Sequence, residues 1–177
     1  MNSLAEYQRN LRDLIKGRAG PPAGDQHLAE VAQSPGLAAI REIAVWWRTL
    51  AVEEYCPWST RLLRRLGIFP ETVTAFYRGQ NVSPYVEKAG EQFLLELSSH
   101  AHPVVAALAQ FELAMLKVKQ GDTLEYTVDW DRNPDGVFAC VTSGGELPPA
   151  EADQYKTYIS RAIPGLVRCD RFTVCES

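Results

Sequence analysis

Up to Gly121 the apolar residues of this chain recur every three or four positions. Beyond it Leu124, Tyr126, Val128 and Trp130 alternate with Thr123, Glu125, Thr127 and Asp129. The first spacing is that of packed amphipathic helices, the second that of a half-buried strand. The pattern predicts an α+β chain. A helical body over residues 1–120 is followed by a small tail over 121–177, built from an antiparallel sheet and one helix.

Within the body, helices are expected over 4–16 with Ser3 as cap, and over 26–33 with Asp25 as cap. The segment 17–25 between them breaks at its prolines and glycines. Ser34 and Pro35 open a long helix to about Tyr55, since proline suits a first helical turn. Its stripe of Leu37, Ile40, Ala44, Trp47 and Ala51, widened by Ile43 and Leu50, reads as core. Pro57 begins a basic helix that Gly67 stops. Helices from Pro70 to Tyr77, from the Ser83–Pro84 pair to Leu97, and along Val104–Val118 complete the body. In the tail the spacing predicts a strand over 123–130, a turn over Asn133-Pro134-Asp135-Gly136, and a strand over 137–142. A helix over about 150–162 and a last strand over 166–174 follow, with Tyr155, Tyr158 and Ile159 of that helix packed on the hairpin.

Composition narrows the class. With 177 residues, 46% hydrophobic and 23% charged, the chain is ordinary globular material, long enough to bury roughly two-thirds of its unfolded surface. No run approaches the ~20 apolar residues of a membrane span, and the polar N-terminus lacks a secretion signal, so a cytoplasmic location is expected. The net charge of −4 is uneven. Residues 1–120 hold 13 basic and 12 acidic side chains, residues 121–177 only 5 basic against 10 acidic. An acidic tail favours basic partners over phosphate backbones.

Candidate chemistry is sparse. Cys56, Cys140, Cys169 and Cys175 lack zinc-knuckle spacing and read as free thiols; a Cys169–Cys175 bridge would need an oxidising compartment. His100 and His102 flank one residue in a connector with no ligating neighbours in sequence, so no metal is expected in this chain. No nucleophile elbow, P-loop or zincin motif occurs, and no catalytic residue is assigned. Glu112 falls on the apolar side of its helix, and a buried carboxylate needs a partner, an arginine being the expected one.

Two surfaces invite binding. Trp46 and Trp58 lie off the core stripe near Arg61, Arg64 and Arg65; tryptophans beside arginines suit a protein interface and the core equally. The Arg61–Arg65 helix also admits an alternative reading as the DNA-contacting element of a transcriptional regulator. The expected hairpin over 123–142 offers strand edges that can take up an extended peptide by main-chain hydrogen bonds. Its candidate contacts are Tyr126, Val128, Asp129, Trp130, Asp131, Asp135, Phe138 and Cys140, the three aspartates attracting basic guest residues.

Four segments carry a resemblance: LAEYQRNLRDLI at 4–15, GIFPETVTAFYRG at 67–79, SPYVEKAGEQFLLEL at 83–97 and HPVVAALAQFELAM at 102–115. In that order they resemble the helical domain, formerly labelled DNA-binding, of the MbnC-like small partner subunits of multinuclear-iron, TIM-barrel peptide oxidases. The resemblance spans residues 4–116. It implies a non-catalytic accessory subunit of a ribosomal-peptide (RiPP) modifying complex. Such a subunit docks on the iron-containing oxidase, which acts on cysteine of a precursor peptide, and helps hold the precursor's leader. Iron would sit on the partner and no cofactor on this chain.

Overall fold

Ser3, Asp25 and Ser34 each accept a main-chain N–H three residues ahead, from Glu6, Leu28 and Leu37. Three helices therefore begin where their caps predict. The structure, a computed structural model, describes residues 3–79 and 82–172. Its body consists of α1 (Leu4–Ile15), α2 (Gln26–Gln33), α3 (Pro35–Tyr55), α4 (Pro57–Arg65), α5 (Phe69–Gly79), α6 (Val86–Leu97) and α7 (Pro103–Lys119). Proline stands in the first turn of α3, α4 and α7, and Gly67, at φ +72°, turns the chain after α4.

The tail runs β1 (Tyr126–Trp130), α8 (Pro134–Ser143), β2 (Gln154–Ile159) and β3 (Val167–Phe172). The sheet is antiparallel throughout, in the order β1-β2-β3, with Tyr126 opposite Ile159 and Trp130 opposite Tyr155. The chain is thus α+β, helices mostly preceding a small sheet. Two tail elements differ from expectation. Residues 137–142 are not a strand but the interior of α8. Asn133, expected in a turn, caps α8 by accepting the Asp135 N–H at 2.9 Å; Pro134 takes its first turn and Gly144 ends it at φ +86°. Conversely, the helix expected over 150–162 is β2, whose Tyr155, Thr157 and Ile159 alternate inward. Of the last expected strand, 167–172 forms, and 173–174 lie outside the described residues.

One buried cluster joins body and tail. Leu62, Phe93, Leu97, Leu108 and Phe111 pack in continuity with Val128, Trp130, Val137 and Ile159. At the joint, the Phe111 ring lies 4.8 Å from Phe138, 5.7 Å from Trp58 and 6.1 Å from Trp130. Such tilted aromatic contacts add about 0.5–1.5 kcal/mol each beyond area burial. A second, small cluster of Leu14, Leu28 and Leu37 ties α1 and α2 to the start of α3. At the edge of the larger cluster, α3 and α6 approach closely at Gly90, where an added Cβ would sit 2.0 Å from the Tyr55 ring.

Candidate binding surfaces

The long helix α3 bridges the two clusters, and only its ends are buried, through Leu37 and Val52. Of the expected core stripe, Leu37 is core and Ala44 and Ala51 are half-buried, but the large residues between them are not core. Ile40, Ile43 and Leu50 are exposed, and Trp47 is 59% exposed. Among the described residues α1 and α2 pack along the first part of α3 and α6 along its last, and Tyr77 of α5 faces Trp47 and Leu50 across a groove. Trp46, at 58% exposure, stands beside Trp47 with the rings edge to face at 4.9 Å. A helix this apolar is normally covered. Sequence reasoning placed Trp47 inside; the missed signal is that Val45 and Trp46 make α3 apolar off the stripe as well.

Trp47, Leu50 and Ala51 form one wall of a groove of about 740 Å³, with Val86 and Ala89 of α6 and Tyr77 of α5 across it. Lys16, Arg18 and Arg48 also line it. The Arg48 guanidinium lies 5.2 Å from the Tyr77 ring centroid, and the Tyr77 hydroxyl donates to the Arg48 carbonyl at 3.1 Å. Burial pushes the Tyr77 phenol up to about 12.

The other interface candidates have definite structural partners. Trp58 is half-buried in the aromatic joint with Phe111 and Phe138. Arg64 pairs with Glu53 and sits 4.4 Å from the Phe69 ring centroid. Arg65 reaches the Gly145 carbonyl at 3.5 Å, while Arg61 is exposed. Glu112 is buried without an arginine in hydrogen-bond range. Its two oxygens accept the N–H groups of Trp58 at 2.9 Å and Ser59 at 2.8 Å. Its partner is therefore the N-terminus of α4, where the helix dipole favours an anion. Burial raises the Glu112 pKa, and these hydrogen bonds pull in the opposite direction.

The eight candidate peptide contacts do not share one surface. Val128 and Trp130 point into the core, and the indole N–H of Trp130 donates to Thr157 Oγ1 at 2.9 Å. Phe138 and Cys140 lie on α8, Phe138 in the aromatic joint and Cys140 buried. Being helical, they present no strand edge, and pairing along 137–142 is ruled out. Tyr126 donates to Asp122 at 2.6 Å, a bond that holds its phenol up to about 12. Asp131 is held by Arg132 at 2.7 and 2.8 Å, which lowers its pKa. Asp129 meets Lys156 at 3.3 Å across the sheet, and Asp135 is exposed in the first turn of α8.

What survives of the hairpin is the outer edge of β1. The strand pairs with β2 on one side only, and among the described residues no main-chain hydrogen bond reaches its other side. Leu124, just before β1, is 62% exposed. Among the described residues no three metal-ligating side chains converge, and no helix is long and apolar enough to cross a membrane. His100 is engaged locally, its Nδ1 accepting the His102 N–H at 3.0 Å. Cys56 and Cys140 are buried free thiols and Cys169 an exposed one, while Cys175 lies outside the described residues. No family model, curated protein or solved structure matches the chain.

Proposed function

We propose that this chain is a non-catalytic accessory subunit that grips an extended peptide while a partner, an iron-dependent oxidase of a ribosomal-peptide modifying complex, performs the chemistry. The observation that carries the reading is the unpaired edge of β1. A strand edge offers a row of main-chain donors and acceptors, and an extended peptide added there gains them without a preformed pocket. Asp129 stands on this strand with an exposed carboxylate and gives the guest a basic preference. The exposed apolar residues of α3, Trp46 foremost, supply the docking face for the oxidase, since large aromatics dominate such interfaces. The resemblance of residues 4–116 to MbnC-like subunits supports the identity of the partner.

Co-expression tests this directly. The chain should co-purify with a multinuclear-iron barrel oxidase from the same genome, and Trp46→Ala together with Ile43→Ser should abolish the association. Co-purification unaffected by those changes would remove α3 as the docking face; no association with any such oxidase would remove the partner.

A further inference from the structure

The groove between α3 and α6 has a chemistry of its own, apart from the sheet edge. Its floor and walls are apolar, and its basic residues gather at the end where α1 finishes. Lys16 caps the C-terminus of α1, and Arg18 follows in the same turn. Arg48 projects from α3 to meet them. We infer that this groove is a second binding site, which takes an acidic peptide segment. A bulky apolar side chain of that segment seats between Trp47, Leu50 and Val86, and its neighbouring carboxylates meet Lys16, Arg18 and Arg48.

Three features argue for that occupant. The volume, about 740 Å³, lies within the roughly 300–1,000 Å³ of sites that bury an apolar ligand; it is ample for one large side chain and its backbone. The α3 residues that line it, Trp47, Leu50 and Ala51, stay partly or largely exposed among the described residues, and exposed apolar rows mark interaction sites. At the basic end Lys16 feels the positive charges of Arg18 and Arg48. Burial first, then Arg18, Arg48 and Arg12, lower the pKa of Lys16, with only Asp13 acting the other way. A carboxylate there relieves repulsion between like charges already held together by the fold. Glu54 lines the same groove and sets a polarity: the guest's acidic residues belong toward α1, away from Glu54. A flat lipid surface is disfavoured by the concavity of the groove.

A random-peptide display library panned against the full-length chain, with Trp47→Ala as counter-target, tests the inference. The expected selection is Asp or Glu next to Leu, Phe or Trp. The best peptide, fluorescently labelled, should lose affinity about tenfold or more on Trp47→Ala and on the double change Lys16→Glu/Arg18→Glu. Its affinity should fall with added salt. Circular dichroism of each variant separates lost binding from lost folding. Because the peptide is read on the isolated chain, the result is independent of any oxidase. Enrichment of basic peptides, selection insensitive to Trp47, or no selection at all overturns the inference. So does preferential binding of phosphatidylglycerol vesicles, or self-association through Trp47 seen by light scattering.

Discussion

At the scale of single residues, Glu112 shows how burial and partner choice decide a side chain's role. Its burial was legible from its place between Leu108, Phe111 and Met115; its partner was not. A helix N-terminus, unlike an arginine, leaves no residue type to read. Replacing Glu112 by Ala strands the Trp58 and Ser59 N–H groups in the core, and each such group costs about 1–3 kcal/mol. Urea denaturation should therefore show a loss of about 2–4 kcal/mol. The pH dependence has a definite sign. Because the folded-state pKa is raised above the ordinary 4.5, the folded protein binds this proton more readily than the unfolded chain. That contribution is fully present below the unfolded value and is lost as pH rises through the raised one. The stability of the native chain relative to Glu112→Gln should thus decline from acid toward neutral pH. A difference that grows instead would mean that the hydrogen bonds outweigh burial.

At the scale of elements, the caps were the most readable signals and the tail the least. Ser3, Asp25, Ser34 and Pro57 mark their helices because capping is local chemistry that needs no tertiary help. In the tail, the β-branched and aromatic run Val137–Thr142 has strand propensity, yet Asn133, Pro134 and Gly144 frame it as a helix, and packing on α4 holds it there. Over 150–162, where a helix is expected, the alternation of Tyr155, Thr157 and Ile159 makes a strand instead. Side-chain propensity gives way to tertiary packing in both cases. The approach of α3 and α6 at Gly90 gives a direct test. An alanine Cβ would overlap the Tyr55 ring, and such overpacking costs about 1–3 kcal/mol. Gly90→Ala should lower the urea midpoint accordingly, and Tyr55→Ala in the same chain should restore part of it. An unchanged midpoint would show that the helices separate without cost.

At the scale of the molecule, the α+β order of helices before sheet was legible from the change of period at Gly121. Which apolar residues would remain outside was not. Periodicity reports that α3 has a stripe, not whether this chain covers it. Body and tail share one core through Trp58, Phe111, Trp130 and Phe138. Phe138→Ala should therefore cost about 3 kcal/mol and lower the protection of β1 and α4 amides together. Independent loss of one alone would mean that the joint does not couple them. The core so anchors β1 by one face and one edge, and among the described residues the other edge has no partner strand. Hydrogen–deuterium exchange over Tyr126–Trp130, with and without the precursor peptide and in the presence of the oxidase, tests that arrangement most directly. Slowed exchange confined to β1 and its flanks is the predicted result. A peptide that binds while the β1 amides exchange as before would contradict it.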